Sequence, residues 1–166
     1  QTGFEWSIEE TEKDGEREYT SAKINTCSKG AWKYGYFEFR AKLPKGLGSW
    51  PAIWMMPEHL RHPKEEQIQM GISPEYMKWP ACGEIDIMEH IGRLKKHLLF
   101  SLHCKNHNHA DKTTIPYTKN VEYSVDFSDD FHIYAMEWTE SYIEYFVDGV
   151  SYCKYNKSFL FMYHFL

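Results

Sequence analysis

From Tyr36 to Leu43 the chain alternates without a break: Tyr36, Glu38, Arg40 and Lys42 take one parity, and Phe37, Phe39, Ala41 and Leu43 the other. A period of two belongs to a strand with one buried and one open face, because successive side chains leave a strand on opposite sides. A helix would scatter the same residues around its circumference. Further strands are expected at Leu98 to His103, Phe131 to Thr139 and Tyr142 to Val147, and Asp148-Gly149 marks a tight hairpin turn into Val150 to Tyr155. This spacing describes an antiparallel sandwich. The one helical expectation is short, Lys64 to Met70, bounded by Pro63 and Gly71.

Glu84-Ile85-Asp86-Ile87-Met88-Glu89 sets three carboxylates in a strand-forming run. On a flat strand Glu84 and Asp86 share a face and Glu89 takes the other. One extra residue, a β-bulge, turns Glu89 onto the face of Glu84 and Asp86, and Met88 is the natural candidate for it. Glu84 and Glu89 then lie about 13 Å apart at Cα, and side chains leaning together leave their carboxyl groups on the order of 5 Å apart. A retaining glycosidase uses about that separation, one carboxylate attacking the anomeric carbon while the other protonates the leaving oxygen; an inverting enzyme needs more room. Asp86, between them, raises the proton affinity of at least one Glu and fixes orientations through shared hydrogen bonds. The competing reading is a solvated acidic face. Ile85 and Ile87 as an apolar opposite face, and Gly83 as a place for close backbone approach, favour a site.

Trp79-Pro80-Ala81-Cys82-Gly83 followed by the acidic run resembles the active-site strand of family 16 glycoside hydrolases, Glu-x-Asp-x-x-Glu in its bulged branch. Lys29 to Pro44 and Gly48 to Met55 resemble the same family, in the same order. The resemblance implies a β-jelly-roll sandwich of concanavalin A type with a concave cleft, Glu84 as nucleophile, Asp86 as its assistant and Glu89 as general acid/base. His103, Asn108 and His109 fit the His-x-x-x-x-Asn-His spacing of laminarinase-like members, which makes an endo-β-1,3-glucanase the favoured expectation. The alternatives are a non-catalytic β-glucan-binding domain and a galactan-specific member such as an agarase, porphyranase or carrageenase. Binders of this fold typically lose one or more acids, whereas Glu84, Asp86 and Glu89 are all present. The His103 to His109 segment also reads as a polar loop, or as a zinc site, since His103, Cys104, His107 and His109 are ligand types; its spacing matches no paired-ligand pattern, and no metal site is expected there. Calcium on the sandwich is permitted by the resemblance, and no cofactor is required.

Aromatic residues make up 17% of the 166-residue chain, which suits stacking on sugar rings and equally suits a β-sandwich core. Trp50 and Trp54 are expected as sugar platforms, with Trp32 and Trp138 packed inside. His103 and Asn108 are placed near the cleft, and Trp79, at the head of the acidic block, is a further substrate-binding candidate. Arg40 points away from the core, where its guanidinium hydrogen-bonds sugar hydroxyls or joins a solvated ion pair. A net charge of −5 with no basic stripe speaks against nucleic acid, and no run approaches the length of a membrane span. The expected partner is a neutral polysaccharide, β-glucan or algal galactan, bound by a monomer. Polysaccharides do not enter cells intact, so a secreted or periplasmic location is expected, with a leader outside this chain. Cys27, Cys82, Cys104 and Cys153 allow three pairings of two bonds, or free thiols.

Residues 1–166 read as one catalytic domain, with a cleft-rim insertion at about 57–81 that contains the short helix. Gln1 to Glu18 supplies at most about one strand, and Ser158 to Leu166 is an apolar ending unlike the family's. The domain is therefore expected to be incomplete at both termini.

Overall fold

The computed structural model describes residues 21–109 and 117–156, so the expectations for Gln1 to Glu18 and Ser158 to Leu166 lie outside the described residues. The chain divides into two units, Gln1–Ala31 and Trp32–Leu166. The described part of the first holds a turn in which Lys29 and Gly30 both donate backbone N–H groups to the Thr26 carbonyl, at 2.9 and 3.0 Å.

Among the described residues the regular structure of the second unit is almost all strand. In chain order it runs β1 (Gly35–Ala41), β2 (Ala52–Met55), α1 (Lys64–Gln69), β3 (Glu84–Glu89), β4 (His97–His103), β5 (Tyr117–Glu122), β6 (His132–Trp138), β7 (Tyr142–Val147) and β8 (Val150–Asn156), with 3-10 turns at Glu58–Arg61 and Pro74–Tyr76. The strands form two four-stranded sheets, β1-β6-β7-β8 and β2-β3-β4-β5. Every pairing is antiparallel. This is the antiparallel sandwich that the strand spacing predicts, and it agrees with the jelly roll that the resemblance implies.

The inner faces of the two sheets supply the core. Ile85, Ile87, Met88, Leu98, Phe100 and Leu102 from one sheet pack against Tyr134, Met136, Trp138, Ile143, Tyr145 and Val147 from the other. Each fully buried side chain of this size contributes about 1.5–3 kcal/mol. The Phe100 and Tyr145 rings, 5.4 Å apart and tilted by 36°, meet across the gap between sheets.

Strand β1 keeps its predicted parity only in part. Phe37 and Ala41 pack on the core, but Phe39 is 37% exposed. Among the described residues β1 pairs with β6 alone, so it lies at an edge of its sheet. Trp32 corrects the expectation of a buried ring: it is 55% exposed and meets Phe37 edge-on at 6.5 Å, whereas Trp138 is buried as expected. The four cysteines are free thiols.

Candidate active site

The sheet β2-β3-β4-β5 turns one face to the core and the other outward. Its outward face carries Trp54 on β2, Glu84, Asp86 and Glu89 on β3, and Ser101 and His103 on β4. The ladders bring these together directly, with Trp54 opposite Asp86, Asp86 opposite Ser101, and Glu84 opposite His103.

Strand β3 achieves this through a bulge. Against β4 the register passes from Asp86↔Ser101 to Glu89↔Leu99, so β3 spends one residue more than its partner. Against β2 it passes from Trp54↔Asp86 to Ile53↔Met88, which leaves Ile87 as the residue without a partner. The expectation had placed the extra residue at Met88. The difference lies in the register against β2; Ile87 and Met88 are each 1% exposed, so both successive side chains enter the core, and parity is restored for Glu89 on the open face.

Each acid is held by specific partners. Trp79 donates its indole N–H to Glu84 Oε2, and Asp86 stands beside Glu84 on the same face, where its charge acts on it. Asp86 Oδ2 lies 3.2 Å from His103 Nε2, with both side chains nearly fully buried. Glu89 accepts from Trp50 Nε1 at 3.0 Å on Oε1 and from Ser101 Oγ at 3.1 Å on Oε2.

Burial raises the Glu84 carboxyl above its ordinary range, and the Asp86 charge adds to this against the opposing pull of Trp79 and His103. Asp86 is likewise raised, by burial first, although its hydrogen bond to His103 opposes the shift. For His103 burial works against the charged imidazole, but the hydrogen bond to Asp86 and the charges of Asp86, Glu84 and Glu89 outweigh it, and the net shift is upward. The cluster thus retains protons that isolated groups would lose. Beneath it, burial and the Glu84 charge push the Cys82 thiol up to about 11, so this thiol is no nucleophile at neutral pH.

The loop before β2 sets Trp50. His90 donates its backbone N–H to the Pro51 carbonyl at 3.0 Å, and Gly92 to the Ser49 carbonyl at 2.9 Å, so the segment is clamped to the residues after β3. A Cβ at Gly92 would stand 1.9 Å from the Gly46 carbonyl oxygen and 2.2 Å from Ser49 Oγ, so only glycine fits here.

Of the sequence-predicted binding residues, Trp50, Trp54, Trp79 and His103 gather around the acids. Arg40 does not. It sits on β1 in the other sheet, with its guanidinium 4.1 Å from the centre of the Phe131 ring, so its open face is not the face of the acids. Asn108 is 2% exposed and its amide nitrogen donates to the Cys104 and Lys105 carbonyls, which commits that group to its own loop. His109 is exposed and packs edge-on against His103 at 4.9 Å and beside Trp79 at 5.2 Å. Among the described residues no group of three or more His, Cys, Asp or Glu side chains is arranged to hold a metal ion.

Two residues escaped the sequence reading. Ser101 contacts Glu89, and Thr118 on β5 donates to Ser101 at 3.0 Å. The available signal was the shared parity of Ser101 and His103 along β4; nothing in the sequence marks Thr118.

Residues 5–163 match the family model described as glycosyl hydrolases family 16. The chain is 41% identical over 139 residues to a beta-glucanase of Rhodothermus marinus, covering 84% of this chain and 43% of that protein. It is 36% identical over 140 residues to a beta-1,3-glucan-binding protein of Penaeus monodon, covering 79% of this chain and 34% of that protein. The X-ray structure of the laminarinase from Rhodothermus marinus superposes with a TM-score of 0.72 at 38% identity, covering 90% of this chain and 53% of that one. The chain spans less than half the length of the two curated relatives.

Proposed function

The chain belongs to glycosyl hydrolase family 16, and from that premise we propose that it carries the acid cluster of a retaining endo-glycanase acting on β-1,3-linked or mixed-linkage glucan. What supports the reading above all is the bulge in β3, which gives Glu84, Asp86 and Glu89 one common face. The named β-glucanase and laminarinase relatives favour a glucan over a galactan.

In this reading Glu84 attacks the anomeric carbon as Glu89 protonates the leaving oxygen, and a covalent glycosyl-enzyme forms. Water then attacks the same carbon, giving its proton to Glu89, and Glu84 is released. Attack needs Glu84 as the carboxylate. The Trp79 N–H and the His103 charge favour that form against burial and the Asp86 charge. Trp54 and Trp50, 40% and 66% exposed beside the acids, offer apolar faces for sugar rings. A polysaccharide substrate fits action outside the cell.

The decisive experiment compares cleavage of laminarin, mixed-linkage β-glucan, agarose, porphyran and carrageenan, with sizing of the products. Cleavage of laminarin to short oligosaccharides, lost in Glu84→Gln with binding kept, is the expected result. Glu89→Ala should slow natural leaving groups far more than activated aryl ones, which need no proton. A second reading, glucan binding without cleavage, is favoured by the Penaeus monodon relative. Laminarin binding without turnover on any of the five glycans would select it.

A further inference from the structure

Glu89 is held differently at its two oxygens. Oε1 accepts from the Trp50 indole, a group that can only donate. Oε2 accepts from the Ser101 hydroxyl, which in turn accepts from the Thr118 hydroxyl. A hydroxyl has one hydrogen and two lone pairs and rotates to suit its neighbour. Ser101 is 1% exposed, opposite Asp86 on one side and Thr118 on the other.

The geometry points to Ser101 and Thr118 as positioning residues for the proton cycle of Glu89: Thr118 donates to Ser101, and Ser101 donates to Oε2 of the carboxylate, the form Glu89 takes between giving up its proton and regaining it from water. This rests on the role proposed above for Glu89. In the first step the O–H bond at Oε2 breaks as the proton passes to the leaving oxygen. The bond from that oxygen to the anomeric carbon breaks as the bond to Glu84 forms, and Ser101 turns its hydrogen to the new carboxylate. In the second step water loses a proton to Oε2 as its oxygen bonds the anomeric carbon. The Glu84 bond breaks, and Glu89 is again the acid. An apolar neighbour at Oε2 would leave the charged form of Glu89 without this donor. Among the described residues, the charges of Asp86 on β3 and His103 on β4 interact with that of Glu89, and the variants below leave both in place.

The test is the pH dependence of laminarin cleavage by Ser101→Ala, Thr118→Val and Thr118→Ser. Ser101→Ala is expected to lower kcat roughly tenfold with KM within about twofold, the pattern of an interaction that matters most in the transition state. It should also move the alkaline limb of kcat/KM up by about half a pH unit, because the carboxylate form loses a donor. Thr118→Val should act in the same direction and more weakly, and Thr118→Ser should restore wild-type behaviour. Thr118 is exposed, so its valine variant decides the matter if Ser101→Ala does not fold. Turnover with both kcat and the alkaline limb unmoved in Thr118→Val overturns the inference alone. Absence of turnover by the wild-type chain overturns the reading of Glu89 and the inference with it.

Discussion

Trp50 reaches across 39 residues of chain to donate its indole N–H to Glu89 at 3.0 Å, while leaving two thirds of its surface open. One side chain thereby serves two ends: its ring offers a platform on the open face of the sheet, and its nitrogen fixes an oxygen of the outermost acid. Trp79 repeats the arrangement at Glu84. Both outer acids are thus oriented by indoles from segments outside β3, and Asp86 between them is held by His103.

Trp50→Phe separates the two ends, since it keeps a ring and removes the N–H. A hydrogen bond to a charged group contributes about 1.5–3 kcal/mol, so kcat on laminarin is expected to fall at least roughly tenfold. KM should change by less than about threefold, because a flat apolar surface remains. Steady-state kinetics on one substrate checks this, and a loss confined to KM would show that the ring alone matters.

Gly92→Ala should act on Trp50 from a distance. The added methyl would overlap backbone at Gly46 as well as the Ser49 hydroxyl, and backbone cannot swing aside. Overpacking of this kind costs about 1–3 kcal/mol. The clamped loop is expected to shift, with a lower melting temperature and weaker laminarin binding. Gly48→Ala, whose Cβ would meet nothing within 4 Å, is the matched control and should resemble wild type.

The sheet framework was legible because its strands announce themselves. Tyr142 to Val147 appears with the predicted limits, and Leu98 to His103 and Phe131 to Thr139 shift by no more than one residue at either end. Strand β5 was not legible: of its described side chains only Val121 packs on the core, so an edge strand of mostly polar residues shows no apolar period. The shared face of the acids was legible once parity showed that one extra residue would bring Glu89 round to Glu84 and Asp86. Which residue was extra was not, because Ile87 and Met88 are both apolar and the choice is made by the register of β2. Arg40 was misplaced for a related reason: the alternation identifies an open face but not which of two sheets owns it. Ser101 and Thr118 depend on cross-strand register, which no local pattern encodes.

The bulge makes a prediction about stability that a regular strand would not. Consecutive residues of a flat strand face opposite ways, so one of Ile87 and Met88 would tolerate alanine at little cost. Here both lie in the core. Ile87→Ala and Met88→Ala are each expected to destabilise by about 2–4 kcal/mol in denaturant unfolding. A loss under about 0.5 kcal/mol for either would mean that its side chain faces outward.

The acid cluster should weaken the fold as pH rises, and Glu84→Gln should relieve this. Glu84 is raised from an ordinary value of 4.5, by burial first and then by the Asp86 charge, so the folded state favours its neutral form. Its favourable contribution is therefore complete below pH 4.5 and is lost as pH climbs through the raised folded value. His103 acts in the same sense. Its net shift is upward from 6.5, so the support of its charge for Asp86 is complete below pH 6.5 and is lost above the folded value. Near neutral pH the wild-type protein carries a buried, crowded charge at Glu84 that glutamine does not. Thermal unfolding of Glu84→Gln is expected to occur at a higher temperature than wild type at pH 7 and at the same temperature near pH 3.5, where both side chains are neutral. The gain in stability should accompany complete loss of cleavage, as for a group kept at a cost to the fold because its charge is used. Glu84→Gln melting below wild type at pH 7 would show instead that the Trp79 and His103 contacts outweigh burial, and that the Glu84 carboxylate is itself a stabilising element.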